Sequence, residues 1–437
     1  MSFTQGMKLA IIADDLTGAN DSGVQLARHG LKTSVLFDMD KDNIRHYDAV
    51  VFDTDSRSIT PEEAYQRVSR AARFLTDAGF DTIFKKMDST MRGNIGTEID
   101  ALYDVAKPDF MMIAPGYPKN NRTILNATHY LNGVPLAETE IAHDPKTPVT
   151  HSYLPDLLKL QTKYAVGEIS VRDLEAGAGR IEGKLKEFQE HNIPYVLIDS
   201  TEEAHLEFIL HITEQLPYKF AWAGSAGIAN YLPAHYHISS KPRELAIAQN
   251  QGPILTVVGS VNKNSRAQLK LLLEHTDVVP VQFVSYKAVS DSAERTEEMD
   301  RVYQEVKLHA LEGKDIVIYS TAESSDIEQA RAVGEARGLN HTEVSNEIVR
   351  AMGEICAQLL ELGYFKGVSM TGGDTAKQIC MQWSISGFEL LDELEIGVPI
   401  SKFIGIDDLY VVTKAGGFGK PDVFIHAIQT IKGGNPA

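Results

Sequence analysis

The sequence predicts an α/β protein of two domains, each built on a mainly parallel sheet flanked by helices, with the active site in the interdomain cleft. Three observations predict it. Short apolar runs of four to six residues recur along the whole chain. Segments with helical spacing of apolar residues lie between many of them. A polar stretch carrying Pro and Gly separates an N-terminal set of runs from a C-terminal set. Strands alternating with helices imply parallel sheets, because parallel neighbours need a crossover between them.

In the N-terminal half the expected strands are residues 8–13, 49–52, 82–86, 110–114, 195–198 and 220–223. Residues 61–78 form an expected helix, opened by Pro61 and followed by Gly79, and residues 95–106 form a second. Asn132-Gly133 between residues 127–131 and 134–136 is a hairpin signal. The boundary falls near 232–253, where Tyr231-Leu-Pro-Ala leads into Ser239-Ser-Lys-Pro-Arg and then Gln249-Asn-Gln-Gly-Pro. It leaves a domain over residues 1–240 and another over 250–437. In the latter the expected strands are 254–258, 315–319, 367–370 and 409–413, and the expected helices 265–273, 345–362 and 421–431.

The chain has 437 residues, too many for one ordinary domain at ~150 residues each. Its 42 Lys and Arg against 60 Asp and Glu leave a net charge of −18. That excludes a broad electrostatic grip on nucleic acid or anionic lipid, so an anionic ligand needs local cations and backbone amides. Residues 285–347 hold seven Lys and Arg against fourteen Asp and Glu and are expected to be a solvated helical surface. Two cysteines, Cys356 and Cys380, make no disulfide framework and are expected to be buried. No signal peptide or span of ~20 apolar residues is read, so a cytoplasmic protein is expected. Fourteen histidines show no metal spacing, and no metal ligand is assigned.

Chemistry-bearing residues gather where strands end, the place where open α/β sheets bind ligands. Ala13-Asp-Asp-Leu-Thr-Gly-Ala-Asn-Asp21 reads as a strand end, a Thr-Gly turn and a helix with Asn20 and Asp21 in its first turn. One of Asp14 and Asp15 is expected to cap the helix and the other to meet a ligand, a polyol or Mg2+. In Asp53-Thr-Asp-Ser-Arg-Ser58, Arg57 is either a fork for a carboxylate or phosphate or a salt-bridge partner of Asp53 or Asp55. Its place after a strand favours the ligand. Phe84-Lys-Lys-Met-Asp-Ser-Thr-Met-Arg-Gly-Asn94 brings Lys86, Asp88, Ser89, Thr90 and Arg92 to one rim, with Ser89 and Thr90 placed near a helix N-terminus. The alternative is a charged loop with a Ser or Thr cap, which suits Thr90. Ala114-Pro-Gly-Tyr-Pro-Lys-Asn-Asn-Arg122 is a rigid loop that either lines a site or merely turns the chain.

The C-terminal half carries turns of another kind. Thr256-Val-Val-Gly-Ser-Val-Asn-Lys-Asn264, Met370-Thr-Gly-Gly-Asp-Thr-Ala376 and Lys414-Ala-Gly-Gly-Phe-Gly-Lys420 are small-residue turns that let backbone N–H groups approach phosphate oxygens. They are neither a Walker loop nor a G-x-G-x-x-G fingerprint, and plain tight turns are the alternative. Asp374 sits inside such a turn, where an acid needs Mg2+ or a substrate hydroxyl as partner. It is the candidate general base.

The Ala13–Asp21 and Lys85–Asn94 segments and the Met370–Thr375 turn, in this order, together with Ile113-Ala-Pro-Gly-Tyr-Pro and Val258-Gly-Ser, resemble the four-carbon acid sugar kinase family. The resemblance covers nearly the whole chain. It implies transfer of the ATP γ-phosphoryl group to the 4-hydroxyl of a four-carbon acid sugar, in carbohydrate catabolism. D-Threonate is the substrate implied by the Gly18-Ala-Asn-Asp21 opening, with D-erythronate, L-threonate or 3-oxo-tetronate as alternatives. A non-catalytic nucleotide or sugar-acid sensor is the alternative of another class. The resemblance places substrate contacts on Asp14, Arg57, Lys86, Met87, Asp88 and Ser89, and nucleotide contacts on Ser260, Met370, Thr371, Gly372, Gly373 and Gly417. Arg57 or Lys86 would hold the substrate carboxylate. The cofactors implied are ATP and Mg2+. The partners are small molecules, without nucleic acid or membrane, and a homo-oligomer is left open.

Overall fold

The computed structural model describes residues 8–434 except 41–43, 81, 145, 237–244, 246, 250 and 322. The chain forms two compact units, Met1–Arg243 and Glu244–Ala437. The linker stretch at 239–243 lies outside the described residues.

The first unit carries eight parallel strands: β1 Leu9–Ala13, β2 Thr33–Leu36, β3 Ala49–Asp53, β4 Thr82–Lys86, β5 Phe110–Ala114, β9 Val166–Ile169, β10 Tyr195–Ile198 and β11 Phe220–Gly224. Their order is β2-β3-β1-β4-β11-β5-β10-β9. Three further strands, β6 Arg122–Leu125, β7 Thr128–Leu131 and β8 Val134–Pro135, form a separate antiparallel sheet. Its second turn is Asn132-Gly133, both at positive φ, as the hairpin signal requires. β1 and β5 are buried at every position, because crossover helices cover both faces of a parallel sheet. That is why they read as continuous apolar runs.

The second unit carries β12 Ile254–Val258, β13 Val279–Phe283, β14 Ile316–Ser320, β15 Gly367–Thr371, β16 Gly387–Glu395, β17 Val398–Phe403 and β18 Tyr410–Lys414. The order is β13-β14-β12-β15-β18-β17-β16, parallel as far as β18 and antiparallel beyond it. The α/β class with a mainly parallel sheet in each half is therefore borne out. β2, β9, β13, β16 and β17 were not expected. β2 and β9 are four residues each, β13 holds Pro280, and β16 reads Gly387-Phe-Glu-Leu-Leu-Asp-Glu-Leu-Glu, which has no clean alternation.

Local chemistry closes the helices. Helix Pro61–Asp77 starts on Thr60, whose hydroxyl accepts from Glu63 N–H, with Pro61 at its first position. Cys356 and Cys380 are buried free thiols, as expected. Among the described residues no helix is long and apolar enough to cross a membrane.

Candidate active site

In the first unit the motif residues come together because their strands are neighbours in register. Ala13 pairs with Asp53 on one side and with Lys86 on the other, so β3, β1 and β4 end level. The segments leaving the three strand ends therefore start from one rim. Asn94 ties two of these loops together, donating through Nδ2 to the Ser56 and Ile59 carbonyls at 2.9 Å each.

Helix Leu16–Arg28 begins directly after Asp15, whose Oδ1 accepts from Gly18 N–H at 2.9 Å. Asp15 is thus the cap, and Asp14 is left for other work. The Thr17-Gly18 turn and first-turn positions for Asn20 and Asp21 are corrected. Thr17 and Gly18 are already helical, and Asn20 and Asp21 lie in the second turn, because the cap forms at Asp15 rather than after Gly18. Gly18 permits a close approach, since a β-carbon there would lie 3.0 Å from Lys86 Nζ.

Arg57 settles its two alternatives in an unexpected way. Its Nε donates to Asp14 Oδ2 and its Nη2 makes an ion pair with Asp15 Oδ1, both at 2.7 Å, in place of Asp53 or Asp55. Asp14 is buried, and its Oδ1 has no hydrogen-bond partner. Burial raises the Asp14 pKa, but Arg57, Lys85 and Lys86 outweigh it and hold the carboxyl below the usual carboxylate range. Burial, with Asp14 as a second acid nearby, raises Asp15 despite Arg57.

The two lysines closing β4 differ in role. Lys85 makes a buried ion pair with Glu98 at 2.7 Å. Lys86 Nζ donates to the Met87 carbonyl at 2.9 Å and makes no ion pair among the described residues. Met87 is buried, and its N–H donates to the Gly224 carbonyl at 2.8 Å. Asp88 receives Arg92 Nε at 2.7 Å and Thr90 Oγ1 at 2.6 Å. Burial raises its pKa, yet Arg57 and Arg92 drive it well below the carboxylate range. Ser89 and Thr90 lie a few residues short of the helix N-terminus they were expected near. The next helix, Ile95–Ala106, starts later, on Asn94, and the Thr90 hydroxyl is taken by Asp88. The Ser89 carbonyl accepts from His129 Nε2 at 2.8 Å, so β7 positions it.

In the second unit Ser260, Thr371, Gly372 and Asp374 line one cavity of ≈ 390 Å³. Met370 is buried in β15, paired with Val257 on one side and Thr413 on the other. Gly372 has φ +99°, a conformation other residues rarely adopt, and its N–H donates to the Lys414 carbonyl at 2.9 Å. Helix Gly373–Gln382 comes next, and no side chain caps it. Helix Lys263–His275 differs, since its cap Asn262 accepts from Asn264 N–H. The uncapped first-turn amides, at a cavity wall, fit an anionic ligand such as a nucleotide phosphate. Asp374 is exposed at this turn. Gly417 lies in the loop held by Asn264 Nδ2, which donates to its carbonyl at 3.1 Å.

The opposite wall was missed. Ile327, Ala330, Val344 and Ile348, on helices Ser324–Ala336 and His341–Glu361, give the cavity an apolar side. Residues 285–347, expected to be only solvated surface, therefore also build this wall. The apolar residues are sparse and spaced along a helix face, so the surrounding charges hid them. Lys414 was also missed, although a lysine closing a buried strand is the signal that marked Lys86. Among the described residues no three His, Cys, Asp or Glu side chains form a metal cluster. An Mg2+ ion would fit here through phosphate oxygens and one or two carboxylates, its usual manner of binding.

Comparison with known proteins agrees with this division. Residues 9–232 match the model of a sugar-binding N-terminal domain, and residues 255–424 that of a nucleotide-binding C-terminal domain. A D-threonate kinase of Salmonella typhimurium is 30% identical over 98% of this chain and 99% of its own length. A D-erythronate kinase of Heliobacterium modesticaldum is also 30% identical, over 95% and 94%. A solved structure from Salmonella typhimurium, provisionally described as a tRNA synthase, has 25% identity and a TM-score of 0.81, covering 97% of this chain and 99% of that one. The chain belongs to the four-carbon acid sugar kinase family.

Proposed function

We propose that the protein phosphorylates the 4-hydroxyl of a four-carbon acid sugar, D-threonate, with ATP. The observation that carries this is the set of fixed charges at the level ends of β3, β1 and β4, an ionised acid beside cations. Such a set recognises a molecule bearing both hydroxyls and a carboxylate. Asp14 Oδ1 accepts from a sugar hydroxyl. Arg57 is already neutralised by Asp14 and Asp15, so Lys86 holds the substrate carboxylate. The Asp88 carboxylate and Ser89 complete the rim, and the Met87 backbone contributes its carbonyl.

In the second unit the nucleotide takes the cavity. Ser260, Thr371, Gly372 and Gly373 offer hydroxyls and amides to phosphate oxygens, Met370 its backbone, and Gly417 its loop. Mg2+, when bound, neutralises charge on the β- and γ-phosphates. Asp374 accepts the proton of the 4-hydroxyl as its oxygen bonds to the γ-phosphorus and the bond to the β-phosphate oxygen breaks, releasing ADP. Preference for D-threonate rests on the Gly18-Ala-Asn-Asp21 opening, because both named kinases are 30% identical.

The test is ADP release with D-threonate, D-erythronate, L-threonate and 3-oxo-tetronate. D-Threonate should give the highest kcat/KM, and Asp374→Asn should lower kcat by about 100-fold or more. Ligand binding without ADP release from any of the four would make the protein a sensor. Near-normal turnover by Asp374→Asn would remove Asp374 from the chemistry.

A further inference from the structure

One buried cation has no part in the chemistry above. Lys414 ends β18 with 4% of its surface exposed. Its Nζ donates to Ser265 Oγ at 3.1 Å and to the Gly416 carbonyl at 3.3 Å, and lies 5.6 Å from the centre of the Phe424 ring. All three are neutral, and among the described residues no carboxylate pairs with it. A chain with eighteen excess acids could have supplied one. An ammonium taken out of water without an anion is costly. Burial alone holds its pKa down to about 8.

The groups around Nζ lead into the cavity. Ser265 Oγ, which accepts from Lys414, donates to the Gly416 carbonyl at 2.8 Å and lies 3.2 Å from Thr371 Oγ1. Thr371 lines the cavity. Gly416 runs so close to the cavity-lining Ser260 that a β-carbon on it would stand 2.8 Å from Ser260 Oγ. The Lys414 carbonyl receives the Gly372 N–H of the uncapped turn. Lys414 thus lies beneath the turn and the glycine loop together. Amide dipoles supply only partial charge, whereas a polyphosphate carries several full negative charges.

We infer that Lys414 is the charge partner of the nucleotide phosphates, a cation left without a protein carboxylate so that its counter-ion is the ligand. This rests on the nucleotide reading of the cavity. The competing role is a strut, in which Nζ only pins the Gly416 loop through its hydrogen bonds.

Two neutral variants of the full chain separate the two. Lys414→Met removes charge and donors. Lys414→Gln removes the charge but keeps an N–H donor for Gly416. Calorimetric titration uses ADP, inorganic tripolyphosphate and adenosine. Both variants should bind ADP and tripolyphosphate about 10- to 100-fold more weakly than the parent, the worth of a charge-assisted hydrogen bond. Adenosine affinity should stay within about twofold, and Tm should hold or rise, since an unpaired buried charge is gone. Parent-like ADP binding by either folded variant overturns the inference while leaving the nucleotide site standing. Parallel loss of ADP and adenosine affinity with a lowered Tm, restored by Gln, makes Lys414 a strut. A parent chain that binds neither ADP nor tripolyphosphate overturns the nucleotide reading and this inference with it.

Discussion

At the scale of single residues, burial and the neighbouring charges together decide which charge state each group keeps. His129 on β7 is fully buried, with Nε2–H on the Ser89 carbonyl and Nδ1 without a partner. Burial pushes its pKa from 6.5 down to about 4, so the folded protein holds it neutral. The unfolded chain takes up a proton as pH falls through 6.5, and the folded one does not until about 4. His129 therefore adds no pH dependence above that window and removes stability progressively within it, up to about 3 kcal/mol. Urea unfolding at about pH 7 and about pH 5 should show a smaller loss for His129→Gln than for the parent. Equal losses would mean His129 titrates normally. The same logic separates the two neighbouring acids. Asp14 stays ionised beside three cations, while Asp15 is the more easily protonated.

At the scale of elements, strand ends and helix starts carry the site, and they were unequally legible. β1, β4 and β15 could be read because a strand buried on both faces is a continuous apolar run, and any polar chemistry at its end is conspicuous. The start of helix Leu16–Arg28 could not, because Asp14 and Asp15 are equally good caps on paper and only the fold gives the cap to Asp15. Arg57 was legible as a site candidate but not its partners, which come from another strand end. The apolar cavity wall on helices Ser324–Ala336 and His341–Glu361 was hidden by the charges interleaved with it. β16 and β17 were hidden because the bulges in their antiparallel pairing break alternation. Gly372 shows what a legible turn demands. A β-carbon there meets only Thr375 Oγ1 at 3.6 Å, so space is free and the cost is conformational. Gly372→Ala should lower stability by about 1–2 kcal/mol through its φ alone. It should also weaken ADP binding, because the first-turn amides shift. Unchanged stability in thermal unfolding would mean the turn relaxes.

At the scale of the whole molecule, this acidic chain pairs several of its strand-end cations with its own carboxylates. Lys85 is taken by Glu98, Arg57 by Asp14 and Asp15, and Arg92 by Asp88 and Asp144. Lys86 in the first unit and Lys414 in the second are buried lysines outside those pairings. The net charge of −18 thus says little about the rims themselves. The two cysteines divide the molecule in another manner. Both belong to the second unit, Cys356 on helix His341–Glu361 and Cys380 on helix Gly373–Gln382, while the first unit has none. These helices supply a wall and a turn of the cavity, and burial pushes both thiols far from the reactive thiolate. Alkylation by iodoacetamide in native buffer should therefore proceed only when those helices open. Saturating ADP should slow it by about 100-fold at a hundred times its Kd. A rate indifferent to ADP would uncouple the helices from the ligand. The unmodified chain thus carries its own clock for the opening of the nucleotide unit, read on a thiol gel without a tag or a mutation.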